Sequence, residues 1–223
     1  MLAWHEWYVF QLKYTAGEDL EPLADSLEQI VEALEAYKCA LRADPETADD
    51  PPFDIDNDTI DHYAAYLNLL SACVLLKRDT LVERVANLLE GSHLHAQDAV
   101  IEELLTRVTG RRPVPDEWFW EKPYLSLMNA IHAKSNEASA KAMGNYVRKW
   151  YPSMKGRANF WNMHEEATPQ YTSYVGYWAM CAAAFTYLLG IDDSTYRDNP
   201  VYPKDMIDYA SSHDASRTAA NRN

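Results

Sequence analysis

The residues best suited to chemistry stand close together near the C-terminal end of the chain. Asp192, Asp193, Tyr196, Arg197, Asp198 and Asp205 fall in one stretch that closes on Tyr202-Pro203-Lys204-Asp205. Carboxylates beside an arginine and two tyrosines could move protons or hold a polar group, as in a small hydrolase acting on a modified substrate. No histidine accompanies them to activate a nucleophile. The same residue types also suit an ion-pair network that pins a loop, or a surface that recognises a partner. All three readings stay open at this point.

A second cluster lies between Asp44 and Asp61. It holds Asp49, Asp50, Asp54, Asp56, Asp58 and Asp61 and no Lys or Arg. Asp54, Asp56 and Asp58 have the spacing that opens a calcium loop. That loop needs Gly at its sixth position and Glu at its twelfth, where this chain has Thr59 and Ala65, so no calcium site is expected. What remains is a solvated acidic loop or an electrostatic docking surface. His93, His95 and Asp98 could hold a metal, but the zinc spacings are absent and no Cys is near in sequence. His164-Glu165-Glu166 lacks the second His of the zinc-protease helix, because Thr168 stands there. There is no Gly-rich phosphate loop and no nucleophile elbow. The expectation is therefore no metal, no cofactor and no enzyme.

The elements that must position these clusters read as helices. Hydrophobic residues make up 48% of the 223 residues and aromatics 12%, which argues for a packed core. Trp4 to Tyr14 suggest a first helix, ended by Gly17. Asp19 is placed to cap a second, whose stripe is Leu23, Leu27, Ile30, Val31, Leu34, Tyr37, Lys38 and Leu41, with Glu28, Glu32 and Glu35 facing water. Ile60 to Val74 is apolar nearly all round and reads as a central helix. Thr80 and Glu83 fit a capping box for a fourth helix, and Val100 to Val108 mark a fifth. Further helices pass through Tyr124 and Ile131, and from Ser135 to Trp150, where Tyr151-Pro152 predicts an end.

Tyr174, Tyr177, Trp178, Cys181, Phe185 and Leu188 recur at helical spacing in a stretch without charge. They predict one long buried helix. Asp192 and Asp193 follow at once and no basic cluster anchors either end, which argues against a membrane span. Pro203 predicts a short last helix from Lys204 to Ala210, followed by a polar tail over residues 211–223. The fold class is all-α: a single compact multi-helix bundle of two closely packed halves around a central buried C-terminal helix. The halves are residues 1–110 and 116–210, joined by Gly110 to Asp116.

The formal net charge is −14. That disfavours direct contact with nucleic acid or an anionic membrane and favours steering towards a basic partner. Lys141, Arg148, Lys149, Lys155 and Arg157 make one region basic, and pairing with the acidic face is a natural use for them. Three scattered cysteines are no disulfide framework, and the first residues lack a signal-peptide pattern, so the cytoplasm is the expected location.

The C-terminal motifs resemble those of the PoNi family of bacterial immunity proteins, the partners of PoNe-type nuclease toxins. The resemblance rests on Tyr174-Val175-Gly176-Tyr177-Trp178, on Asp192 to Asp198, and on Tyr202-Pro203-Lys204-Asp205. Lys122-Pro123-Tyr124, Lys149-Trp150-Tyr151 and Tyr14-Thr15-Ala16-Gly17-Glu18 look like further landmarks. Cys181 stands where the family usually carries Glu, and Asn199 and Val201 where His and Tyr are common. The resemblance implies an all-helical antitoxin that binds and neutralises a cognate effector in interbacterial competition. Such effectors are often DNases delivered by type VI secretion, and the free inhibitor could be a homodimer. The candidate partner-binding residues are the aspartates of both clusters with Tyr196 and Arg197. Tyr174, Gly176, Tyr177, Trp178, Tyr202 and Pro203 are structural candidates.

Overall fold

The computed structural model describes residues 2–56, 59–110, 114–168 and 170–220. Nine α-helices appear among them: α1 Leu2–Thr15, α2 Leu20–Ala43, α3 Asp61–Leu75, α4 Asp79–Ala86, α5 Ala99–Thr109, α6 Glu121–Ile131, α7 Asn136–Met154, α8 Met180–Leu189 and α9 Lys204–Ala220. The described residues form no strand beyond an isolated bridge between Thr168 and Tyr171. No described helix is long and apolar enough to cross a membrane.

The core is built on α3 and α8, the two helices without a polar face. From Tyr66 to Leu76 every residue of the α3 segment is buried, and so is every residue of α8 from Met180 to Thr186. The two pack on each other, with α9 against both. Ala179, Ala182, Ala183 and Ala184 are fully buried, so small side chains line α8 where neighbours approach closely. The amphipathic helices wrap this pair. α2 buries Leu23, Leu27, Ile30, Val31 and Leu34 while Glu28 and Glu32 face water. α6 and α7 form a helical hairpin, started by Ser135, whose Oγ accepts a hydrogen bond from the Ala138 N–H at 3.2 Å.

Charged contacts tie the outer helices together. Arg84 on α4 binds Glu28 and Glu35 on α2, and Arg78 binds Glu21 and Asp25. The same Glu21 accepts from Tyr209 Oη on α9 at 2.7 Å.

Several helix limits differ from those expected. The aromatic segment through Trp178 is extended, and α8 starts only at Met180. Its helical spacing of apolar residues reflects contacts with several different helices rather than one helical face. Asp19 and Arg78 sit at the N-cap positions of α2 and α4 without a side-chain capping bond, and Thr80 already lies inside α4, so the Thr80–Glu83 box does not form. α7 runs through Pro152 to Met154, although Pro152 has no N–H to donate to the carbonyl of Arg148 one turn earlier. α9 continues past Ala210 to Ala220. The expected polar tail is instead helical there, held by Asp214, which binds Lys77 and Tyr187 Oη, and by His213, 3.8 Å from Glu21. Residues 221–223, and Arg111, Arg112 and Pro113 of the expected boundary, lie outside the described residues.

Candidate functional site

The aromatic segment owes its extended path to side chains from three helices. Thr15 Oγ1 on α1 donates to Val175 O at 2.6 Å and accepts from Trp178 Nε1 at 2.8 Å. Asn68 Nδ2 on α3 donates to Trp178 O at 3.1 Å, and Trp150 Nε1 on α7 donates to Tyr177 O at 2.9 Å. Backbone groups that a helix would pair internally are thus satisfied from outside. Gly176 makes this possible. Its φ is +96°, and a Cβ there would lie 2.2 Å from Trp178 Nε1 and 2.5 Å from Thr15 Oγ1.

The rings of this segment pack outward, edge-on or tilted, into an aromatic cluster. Tyr177 lies 4.5 Å from Trp161, 4.9 Å from Tyr174 and 5.0 Å from Tyr151, centroid to centroid. Its hydroxyl meets His164 Nδ1 at 2.8 Å. Beside the cluster runs an open groove of about 850 Å³, lined among others by Arg148, Tyr151, Tyr174, Trp178, Asn199 and Val201. Asn199 and Val201, where the resemblance leads one to expect His and Tyr, therefore face the same groove.

The acidic turn after α8 is an internally bonded unit. Gly190 ends α8 in the left-handed conformation. Arg197 Nη1 donates to Asp193 at 2.7 Å, while its Nη2 donates to both oxygens of Asp208 on α9 at 2.5 and 2.6 Å. Lys204 binds Asp198 at 2.6 Å. Asp205 accepts from Tyr14 Oη, which links the turn to α1. Tyr196 is 3% exposed and meets the Thr186 hydroxyl at 3.0 Å. Burial pushes its phenol up to about 12. Tyr202 packs edge-on against it and is raised further, for the same reason.

This network decides what the turn can do. A buried phenol that holds its proton is no general base, and Arg197 is engaged on both sides. Asp192 and Asp198 remain exposed. The Ser194 N–H holds Asp192 below the usual carboxylate range, and a hydrogen bond from Lys204 does the same for Asp198. Both present charge to solvent rather than a transferable proton. Of the turn's candidates, then, Asp192, Asp198 and Asp205 are exposed, Asp193 and Arg197 are half-buried in the network, and Tyr196 is buried.

The loop from Asp44 to Asp61 divides in a similar way. Asp49 and Asp50 are exposed. Asp56 lies 3.3 Å from His93 Nε2. Asp61 caps the backbone N–H groups of Asn159 and Phe160 at 3.0 to 3.2 Å and so ties α3 to the segment after α7. Asp54 is half-buried, and its N–H donates to His62 Nδ1 at 3.0 Å. Asp58 lies outside the described residues. Among the described residues no group of His, Cys, Asp and Glu could hold a metal ion. Asp98, considered above as a ligand, is instead the N-cap of α5. It accepts from Ile101 N, Phe119 N and Tyr63 Oη at 2.9 to 3.0 Å.

Thr15, Asn68 and Trp150 also shape the site, a role sequence reasoning gave to none of them, although Thr15 and Trp150 fall within the landmarks of the resemblance. The first two lie more than 100 positions from the backbone they hold. Only Gly176, between an aromatic pair, hinted at a close backbone approach.

Residues 96–206 match the family described as PoNe immunity proteins (PoNi), C-terminal. That span takes in α5 to α8, the aromatic segment and the acidic turn. The crystal structure of protein PA2201 from Pseudomonas aeruginosa has the same fold, with a TM-score of 0.74 over 95% of this chain and 73% of that one, at 20% identity. No curated protein matches the chain in sequence. With its aromatic segment, acidic turn and all-helical core in place, the span of residues 96–206 belongs to the PoNi family of immunity proteins, whose general work is to bind a toxin rather than to catalyse a reaction.

Proposed function

We propose that this immunity protein neutralises a nuclease toxin of the kind that type VI secretion delivers between bacteria, by covering the toxin's basic DNA-binding face in the cytoplasm. The observation that supports it is the distribution of charge. The chain carries 34 carboxylates against 20 Lys and Arg, and Asp49, Asp50, Asp192 and Asp198 stand exposed on two loops. A nuclease needs a positive surface for phosphate. An acidic inhibitor is steered onto that surface and competes with DNA there. The buried members of the same clusters hold the loops in shape, so the exposed ones meet a partner without first being ordered.

The test is inhibition of the toxin encoded beside this protein. Plasmid DNA is incubated with the toxin and increasing amounts of inhibitor. Protection that saturates near one inhibitor per toxin supports the reading. Undiminished cleavage at excess inhibitor overturns it.

A further inference from the structure

The helical hairpin of α6 and α7 has the opposite sign to the rest of the molecule. From Glu121, where α6 opens, to Arg157 the chain carries seven Lys and Arg and two carboxylates, Glu121 and Glu137, a net charge of +5 within a protein of −14. Elsewhere most cations are spoken for: Lys77, Arg78, Arg84, Arg107, Arg197 and Lys204 all bind carboxylates. Among the described residues, none of the seven cations of the hairpin does. Among the described residues no ion pair joins this basic region to the acidic face, contrary to expectation. Arg148 donates to the Asn145 amide oxygen at 3.0 Å and Arg157 to Ser153 O at 2.7 Å.

The exposed cations are also ordered in space. Lys141, Arg148 and Lys155 are seven residues apart along α7 and its C-cap, and Lys149 adjoins the middle one. Seven residues are two turns, about 10.5 Å, with a drift of only about 20° around the helix. The three therefore form a stripe. The guanidinium of Arg148 lies over Gly144, whose missing side chain leaves room for it beside Tyr196. From there it lines the 850 Å³ groove with Tyr151, Tyr174 and Trp178.

We propose that this stripe and the groove beside it dock an acidic polypeptide segment of the toxin, a segment that carries an aromatic or aliphatic side chain for the groove. The inference rests on the toxin-binding reading above and adds a second contact of opposite sign. Charge complementarity selects the occupant, since four exposed cations that have no carboxylate partner among the described residues attract carboxylates. A polyproline II segment has three residues per turn and rises about 3.1 Å per residue, so acids at every third position share one face and recur about every 9.3 Å, close to the spacing of the stripe. Two poles of opposite sign fix the orientation of a complex more firmly than one and discriminate against toxins with the wrong pattern.

The experiment compares wild type with the variant K141E/R148E/K149E/K155E, whose four positions are solvent-exposed and outside the core. Affinity for the cognate toxin is measured alongside thermal unfolding. The expected result is an affinity loss of more than about tenfold with unfolding unchanged. Unchanged affinity in the folded variant overturns the inference and leaves the toxin-binding reading intact. If wild type itself fails to bind the toxin, that reading falls first. The stripe is then tested alone with a labelled peptide bearing Glu at every third residue and one Trp. Binding by wild type that is lost in the variant and in the Gln-substituted peptide supports the stripe, and no binding overturns it. Equal or tighter binding of single-stranded oligothymidine also overturns it, in favour of a nucleic-acid site.

Discussion

The hydroxyl of Thr15 holds Trp178 from the far end of the chain: it accepts from the indole Nε1 at 2.8 Å while donating to Val175 O at 2.6 Å. One small side chain on α1 thus satisfies both a ring and a carbonyl of the aromatic segment. Replacing it by valine keeps the shape and removes both bonds. Thr15→Val should cost about 1–3 kcal/mol of unfolding free energy, because a donor and an acceptor lose their partner. Thr15→Ser should retain most of it. Denaturant unfolding of the two variants checks this. Equal stability of Val and Ser at this position would mean that the two bonds contribute nothing.

Gly176 should tolerate no side chain. At φ +96° an alanine is strained, and its Cβ would meet the Trp178 indole at 2.2 Å. Gly176→Ala should destabilise by about 1–3 kcal/mol from backbone strain alone. Displacement of Trp178 comes on top. Near-ultraviolet circular dichroism, which senses the packing of tryptophan, should change along with the melting temperature. A wild-type spectrum would show that the segment adapts at no cost.

The alanine face of α8 sets a further limit. Ala183 is fully buried in the helix that packs on α3. Ala183→Leu inserts volume with nowhere to go and should cost about 1–3 kcal/mol. A melting temperature at or above wild type would show unfilled space at that contact.

An acid limb in the stability profile should depend on Arg84. Its hydrogen bond holds the Glu35 carboxyl below its usual range. A carboxylate depressed in the folded state contributes stability that is present above its unfolded pKa and lost as pH falls through the folded one. Arg84→Met should therefore flatten the fall in stability below about pH 4.5, the ordinary range of a glutamate. An unchanged acid profile would place that dependence on other groups.

How much of this was legible in the sequence follows from the range of each interaction. The Leu23 to Leu34 stripe of α2, the Ser135 cap and the apolar α3 are local patterns, and they stand as expected, whereas the Asp19 cap does not form and Tyr37, Lys38 and Leu41 are only half-buried. The limits of α8 and α9 were not legible. The aromatic spacing before Met180 mimics a helix because Tyr177 and Trp178 pack against different helices, and only Gly176 betrays the break. Ser211 to Ala220 look like solvent-facing residues. Yet Asp214 meets Lys77 and Tyr187, contacts that no local window contains. Arg197 was rightly placed among aspartates, but its bidentate partner is Asp208, one turn into α9 and outside the motif. Acidity marked both clusters. It could not separate Asp61, committed to backbone N–H groups, from the exposed Asp49 and Asp50.

The measurement that tests the central claim most directly is titration calorimetry against the cognate toxin at low and high salt. It is made with wild type and with a variant carrying Asp49→Lys, Asp50→Lys, Asp192→Lys and Asp198→Lys. Tight binding by wild type that weakens with salt, and a loss of more than about tenfold in the variant at low salt, is the predicted result. Tight binding indifferent to salt and to all four reversals would contradict docking through the acidic surface.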